Sequence, residues 1–241
     1  MSALDTPSLS LVIPCYNEAK SLPALLSRCA AIVAARPDAE VVLVDNGSSD
    51  TSPEMFRELL PKYPGCRSVR VEKNQGYGFG ILSGLRAAKG SILGWTHADL
   101  QADPSDALKG LELFEKSATP ERLFVKGRRY GRPASDVAFT VGMSLFETML
   151  LGRRLWDINA QPTMFPRSFF ESWTSPPNDF ALDLYAYYNA LRAGMVVERF
   201  PVRFGERLHG HSHWNVNWGA KWKFIRRTMD FSVTLRMGAY K

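Results

Sequence analysis

Short apolar runs alternate with stretches of helical periodicity through the first hundred residues. Leu9 to Pro14, Glu40 to Val44, Ser68 to Glu72 and the run starting at Ile92 predict four strands. Between the first two, Ser21 to Ala35 carries Leu22, Leu25, Leu26, Cys29, Ile32 and Val33 at helical spacing, with Pro23 tolerated in the first turn. A second helix is predicted over Ser52 to Leu60, stopping before Pro64-Gly65. The third, Ile81 to Ala88, follows a glycine loop at Asn74 to Gly80 and ends at Lys89-Gly90. Such alternation with short connections predicts an α/β fold, a mostly parallel sheet covered by helices on both faces. Beyond residue 118 the pattern predicts a short strand at Leu123 to Gly127 and an apolar helix at Asp136 to Leu151. An edge strand at Thr163 to Phe165, an amphipathic helix at Phe180 to Ala193 and a returning strand at Met195 to Phe204 follow. No long linker or repeat interrupts the chain, which reads as one domain over 1–213 and an amphipathic helical appendage over 214–241.

Three of the strands run straight into short polar side chains. Leu9 to Pro14 leads into Cys15-Tyr16-Asn17-Glu18, Glu40 to Val44 into Asp45-Asn46-Gly47-Ser48-Ser49-Asp50, and Ile92 to Trp95 into Thr96-His97-Ala98-Asp99-Leu100-Gln101. Crevices in open α/β sheets lie beyond the carboxyl ends of the strands, so one shared site is expected there. On an extended backbone His97, Asp99 and Gln101 share a side and offer a divalent cation one nitrogen and two oxygens. Magnesium prefers oxygen, so His97 either stays outside the shell or shifts the preference toward manganese-like ions. The plainer alternative is an Asx turn at Asp99, with Asp103-Pro104 capping the next helix. It accounts for Asp103 and leaves His97 and Gln101 without a role. Asp45 sits at its strand tip, where an acidic residue can accept hydrogen bonds from a ribose or base edge, whereas Ser49 or Asp50 serves as the following helix cap.

Charge adds a preference for anions. The formal net charge is +6, and the basic residues concentrate at Lys126, Arg128, Arg129 and Arg132 and again at Lys221, Lys223, Arg226 and Arg227. Arg128 and Arg129, placed just after a strand, suit bidentate contact with phosphate. Basic and aromatic residues are not interleaved along one face, which argues against a nucleic-acid partner. The three cysteines, Cys15, Cys29 and Cys66, exclude a disulfide framework or zinc ribbon. His209, His211 and His213 lack a nearby carboxylate or cysteine and read better as a polar loop closing over a diphosphate than as a zinc site. Trp214, Trp218 and Trp222 recur every four residues beside the second basic cluster. They fit a membrane interface or a stripe packed on the domain, and both readings stand. No apolar run approaches bilayer-spanning length and Met1 to Ser8 lack a secretion signal, so a cytosolic fold is expected.

Taken together, Leu11-Val12-Ile13-Pro14-Cys15-Tyr16-Asn17-Glu18, Val44 to Asp50, the Asn74 to Gly80 loop and Ala98-Asp99-Leu100-Gln101 with Asp103-Pro104 resemble the family 2 inverting glycosyltransferases of GT-A, Rossmann-like fold. Within them the chain is most similar to the dolichol-phosphate mannosyltransferase and polyprenyl-phosphate glycosyltransferase branch, over residues 8 to 215. The resemblance implies that Pro14, Tyr16, Glu18 and Asp45 bind the nucleoside of a GDP- or UDP-sugar, while Asp99 and Gln101 hold a magnesium or manganese ion and the diphosphate. It puts Arg129 against phosphate, Asp157 and Gln161 in a loop near the sugar, Arg207 and Ser212 on the diphosphate, and Asp179 and Asp183 near the acceptor. Two departures stand out. His97 replaces the aspartate usual at that position, and Thr140-Val141-Gly142 lacks the arginine that often meets the acceptor phosphate.

The implied reaction moves a sugar onto dolichyl or undecaprenyl phosphate at the cytosolic face of a membrane. The protein would touch the membrane peripherally, with a membrane-protein partner or a second copy as possible company. A cation and arginines stabilise the leaving diphosphate. A phosphate acceptor arrives already ionised and needs no base, whereas a saccharide or protein hydroxyl would call on Asp179 or Asp183. A catalytically reduced nucleotide-sugar-binding protein is the reading that His97 keeps open.

Overall fold

The computed structural model describes residues 7–207 and 218–237, except the side chains of 218–225. Its elements run β1 (Leu9–Cys15), α1 (Leu22–Ala35), β2 (Ala39–Asn46), α2 (Ser52–Leu59), β3 (Cys66–Val71), α3 (Tyr77–Ala87), β4 (Ile92–Trp95) and α4 (Asp106–Lys116). β5 (Leu123–Tyr130), α5 (Ala134–Leu151), β6 (Thr163–Pro166), α6 (Arg167–Glu171), α7 (Leu182–Arg192), β7 (Val196–Arg203) and α8 (Trp218–Arg236) complete the order. Seven strands form one sheet in the order β3-β2-β1-β4-β6-β5-β7, parallel except for β6. The α/β class and the mostly parallel sheet expected from the alternation are therefore borne out.

The apolar runs of β1 and β2 are buried almost throughout, as central parallel strands require. Their side chains alternate between two cores. Leu9, Leu11, Ile13 and Cys15 face one core with α1, α2 and α4, and Val12, Val42 and Val44 face the other with α3, α6 and α7. Strand order carries the functional consequence. The chain leaves β1 toward β2 and β3, then returns across β1 to β4, so the edge beyond β1 and β4 is a topological switch point.

Five local expectations are corrected. α3 starts at Tyr77, so Gly78 and Gly80 lie in its first turns and not in a loop. A Cβ at Gly78 would stand 2.6 Å from the Asp179 carbonyl oxygen, and one at Gly80 2.8 Å from Asn46 Nδ2, so close packing explains the glycines. β5 runs on to Tyr130, because β7 pairs with it up to Tyr130 opposite Arg203, and this places Arg128 and Arg129 in the strand. β6 is no edge strand: it is buried between β4 and β5 and antiparallel to both. The backbone beyond Trp95 is not extended, for Leu100 adopts a φ of 58° and the segment bends. Finally, α5 is long and apolar enough to cross a membrane by length and composition, and only 17% of it is buried. Asp136 and Glu147 interrupt its apolar run in the sequence, yet the mean hydropathy over the helix still reaches 1.2.

Gly84 of α3 faces the sheet so closely that a Cβ would lie 2.3 Å from Val12 Cγ1. Gly84→Val is expected to cost about 1–3 kcal/mol by overpacking. Gly142 of α5 has nothing within 4 Å of its added Cβ, and Gly142→Ala is expected to stabilise by about 0.5–1 kcal/mol. Denaturant midpoints of the two variants check both signs.

Candidate functional site

The β1 and β2 tips are stitched to each other by backbone-to-side-chain bonds. Asn17, with a φ of 56°, accepts at its Oδ1 from Ser49 N at 2.8 Å and Asp50 N at 3.3 Å. In return Asn17 N donates to Ser48 Oγ, and Glu18 N to Ser52 Oγ, each at 3.0 Å. Asp45 is buried at the β2 tip, accepting from Ser48 N at 3.0 Å and from Arg70 Nη1 at 3.2 Å. Its carboxylate is thus oriented and partly neutralised before any ligand arrives. Pro14 is half-buried next to it, and Tyr16 is exposed at the rim. Burial raises the Glu18 carboxyl above its ordinary range, with Asp99 adding to the rise and Arg207 opposing it. These couplings bring the β1, β2 and β4 tips, with the segment after β7, into one crevice.

At the β4 tip an Asx turn and an arginine contact coexist. Asp99 Oδ1 accepts from Gln101 N at 3.2 Å, closing the turn. Asp99 Oδ2 and Gln101 Oε1 both face the Arg207 guanidinium, at 3.0 and 3.1 Å. Gln101 Nε2 donates to the Gly205 carbonyl at 3.0 Å, and Gly205 N to the Gln101 carbonyl at 2.8 Å, which pins residues 205–207 across the strand tip. Two hard oxygens already converge on a cation here. The donor set therefore suits a magnesium- or manganese-type ion better than a soft metal. His97 is stacked on Tyr77, with ring centroids 5.5 Å apart, and Tyr77 stacks in turn on Phe180 at 4.7 Å. Among the described residues no group of three or more His, Cys, Asp or Glu side chains is placed to hold a metal.

A second polar group lies across β5. Asp157, at a φ of 45°, is buried and accepts from Arg129 N at 3.1 Å, Arg129 Nε at 2.9 Å and Arg129 Nη2. Burial works against its charged form, yet the bonds and charge of Arg129 outweigh it and hold the carboxyl below its ordinary value. Asn17, Leu100 and Asp157 are the non-glycine residues with positive φ among those described, and all three sit in this region. Backbone conformations of that kind persist where surrounding bonds over-determine them, and they concentrate at functional sites. Gln161 and Asp183 meet directly, Gln161 Nε2 donating to Asp183 Oδ1, in a pocket completed by Lys126, whose Nζ donates to Thr163 Oγ1 at 2.6 Å. Burial pushes the Lys126 ammonium down to about 7 and raises the Asp183 carboxyl. Asp179 instead closes the turn before α7, accepting from Ala181 N at 2.9 Å, and pairs with Arg227 of α8.

Several participants were not singled out from the sequence. Arg70 lies on β3 and Asn46 at the end of β2; Asn46 Nδ2 donates to the Gly76 carbonyl at 2.9 Å and ties β2 to α3. Glu147 looked like part of an apolar helix, yet it is 1% exposed, tied to α8 by Ser232 Oγ at 2.7 Å, with Oε2 unpartnered among the described residues. It lines a cavity with Arg129, Phe139, Met143 and Leu184. Nothing in the local pattern distinguishes a buried glutamate from a solvated one. Ser212, His209, His211, His213 and Trp214 lie outside the described residues, as do the side chains of Trp218, Trp222, Lys221 and Lys223.

Burial raises the Glu147 carboxyl to about 7. A raised carboxyl stabilises the fold below its ordinary value near 4.5, and that contribution is lost as pH climbs through 7. Glu147→Gln should therefore match the native chain at pH 4.5 and exceed it by on the order of 2–3 kcal/mol at pH 8. Urea titrations at the two pH values give the difference directly.

The family model described as Glycosyl transferase family 2 matches residues 10–170. An undecaprenyl-phosphate 4-deoxy-4-formamido-L-arabinose transferase of Pseudomonas fluorescens is 31% identical over 220 residues, covering 86% of this chain and 60% of the relative. Its namesake from Aeromonas hydrophila is 41% identical over 109 residues, 44% of this chain and 33% of that one. The chain thus spans from a third to three-fifths of the length of these relatives. A mannosyltransferase from Pyrobaculum calidifontis, solved with GDP-mannose and Mn2+, aligns at a TM-score of 0.65 and 21% identity over 92% of this chain and 61% of its own. At that identity the likeness speaks for the shared GT-A fold alone. With the family model covering well over half of its residues, the chain belongs to glycosyl transferase family 2.

Proposed function

We propose that this protein transfers a sugar from a nucleoside-diphosphate donor to a polyprenyl phosphate, with inversion at the anomeric carbon. The observation that carries the reading is the convergence of Asp45, Glu18, Asp99, Gln101 and Arg207 at one switch-point crevice. Asp45 accepts a nucleoside hydroxyl or base edge, with Pro14 and Tyr16 lining that end. Asp99 and Gln101 hold a magnesium or manganese ion; when bound, it neutralises the leaving diphosphate as a Lewis acid. Arg207 turns to the diphosphate, with Ser212 as a further contact, and exchanges carboxylate for phosphate, which a guanidinium does readily. Arg129, held by Asp157, faces the reacting end, and Gln161 helps shape the sugar pocket.

The acceptor phosphate brings its own nucleophilic oxygen, since its second ionisation falls near neutrality. That oxygen attacks the anomeric carbon from the face opposite the diphosphate, whose bond to the sugar breaks. A hydroxyl acceptor would need a free base. Asp183 is buried with Gln161 and Lys126, and Asp179 is paired with Arg227, so neither is poised for that task. The names of the curated relatives support the phosphate acceptor as well.

We also propose that the body, residues 1–213, meets the cytosolic face of a membrane through α5 and the appended segment 214–241. Leu145 and Met149 of α5 are 56% and 75% exposed, and Val233 of α8 and Met237 just beyond it are exposed as well. Apolar side chains flanked by Arg226, Arg227 and Arg236 suit an anionic bilayer surface.

Incubation with a panel of GDP- and UDP-sugars, undecaprenyl phosphate and Mg2+ or Mn2+ is expected to yield one lipid-linked sugar, abolished by chelation. Asp99→Asn should lower kcat by roughly 10²–10³-fold. Asp45→Ala should weaken nucleotide binding by roughly ten- to a hundredfold in calorimetry. A chain that binds no activated sugar, or one that glycosylates only a hydroxyl acceptor, overturns the reading.

A further inference from the structure

Lys126 is 0% exposed, on a face of β5 that otherwise builds core. Phe124, two residues earlier on that face, stacks on Tyr187 of α7, and the Lys126 ammonium stands 5.8 Å from the centre of the same ring. An apolar side chain would fit there without electrostatic cost, whereas a buried ammonium must be hydrogen-bonded and counter-charged. Lys126 has both. Its Nζ donates to Thr163 Oγ1 at 2.6 Å, and Asp183 and Asp157 attract it while Arg199 and Arg129 repel it. Asp183, 2% exposed, is drawn in turn toward Lys126 and His97. Replacing such buried charges by apolar residues of similar volume is often neutral or stabilising, so stability alone does not account for the pair.

Both members act on the segment between α5 and β6. Thr163 is the first residue of β6, and Asp183 accepts from Gln161 Nε2. The same segment lies directly on β5: Gly127 N donates to the Pro162 carbonyl at 3.0 Å, and a Cβ at Gly127 would stand 2.2 Å from the Gln161 carbonyl oxygen. At its start Asp157 is bonded to Arg129. β5 thus grips the segment through Lys126, Gly127 and Arg129, and α7 grips it through Asp183. Gln161 keeps one acceptor unused, for its Oε1 is buried with no partner among the described residues. A buried acceptor left unpaired is unfavourable, and a hydroxyl donated by a ligand relieves it.

We infer that Lys126 and Asp183 are positioning residues for the transferred sugar: through Thr163 and Gln161 they hold the 157–161 segment so that Gln161 Oε1 accepts from a sugar hydroxyl. The inference rests on the donor reading above, which puts Gln161 at the sugar, and gives that pocket a buried ionic support.

Calorimetry with Mn2+ compares each sugar of the GDP and UDP panel, GDP-mannose and UDP-glucose among them, with its own nucleotide. The chains compared are the native one, Lys126→Met, Thr163→Val and the double variant Lys126→Met/Asp183→Asn. Lys126→Met is expected to weaken the nucleotide sugar that the native chain binds by roughly tenfold and to leave the matching nucleotide within about twofold. Thr163→Val, which keeps both charges, should weaken the nucleotide sugar less and spare the nucleotide. Urea midpoints separate positioning from mere support. Lys126→Met strands the Asp183 charge and lowers the midpoint, and the double variant strands none and restores it. Its affinity for the nucleotide sugar stays low, because methionine gives Thr163 no donor. If Lys126→Met does not fold, the double variant and Thr163→Val decide by the same comparison. A double variant that regains sugar affinity together with stability overturns the assignment, as do equal losses for nucleotide and nucleotide sugar or unchanged affinity for both in the folded variants. Each of these leaves the proposed function standing. A native chain that binds no nucleotide sugar defeats the assignment and the donor reading together.

Discussion

β1 is hydrogen-bonded on both sides to parallel partners that the chain reaches in opposite directions. From β1 the path runs outward to β2 and β3, then crosses back to β4. Polar residues that follow these strands have one place to go, the crevice beyond their shared edge. With neighbouring strands about 5 Å apart, the tips of β2 and β4 lie roughly 10 Å from each other, a span that a nucleoside diphosphate can bridge. The bonds among Asn17, Ser48, Ser52 and Asp50 hold the loops in this arrangement without a ligand.

Charge in the crevice follows a repeated pattern of one carboxylate against one guanidinium. Arg70 faces Asp45, Arg207 faces Asp99, and Arg227 faces Asp179. Each pair limits the penalty of holding an acid in a partly desolvated site. It also leaves the arginine with a partner it can exchange for a phosphate oxygen. Asp157 departs from the pattern by serving two arginines, which is why the surplus positive charge collects at Arg132.

Much of this arrangement was legible in the sequence, because strand and helix periodicities in the first half are strong and local. The polar tips were legible for the same reason: Asp45, Asp99 and Gln101 end apolar runs and have no part in a core. What escaped depends on residues far apart in the chain. β6 has four residues and no local sign that it inserts between β4 and β5. Arg128-Arg129-Tyr130 looks like a loop until β7 pairs with it. Asp157 and Arg132 lie 25 positions apart, and no periodicity connects them. His97 stacks on Tyr77 while Asp99 and Gln101 meet Arg207, an arrangement that alternation along an ideal strand cannot anticipate.

The exposed apolar faces of α5 and α8 complete the picture, since the cavity lined by Arg129 and Glu147 is walled by both helices. A sugar donor held at the strand tips and an amphiphilic acceptor entering along α5 would meet near Arg129. Co-crystals with GDP or UDP and Mn2+ address the strand-tip site most directly. Anomalous density for manganese between Asp99 and Gln101, the nucleoside against Asp45, and Arg207 turned onto the phosphates are predicted. Nucleotide bound away from Asp45, or manganese held by other side chains, contradicts the shared crevice.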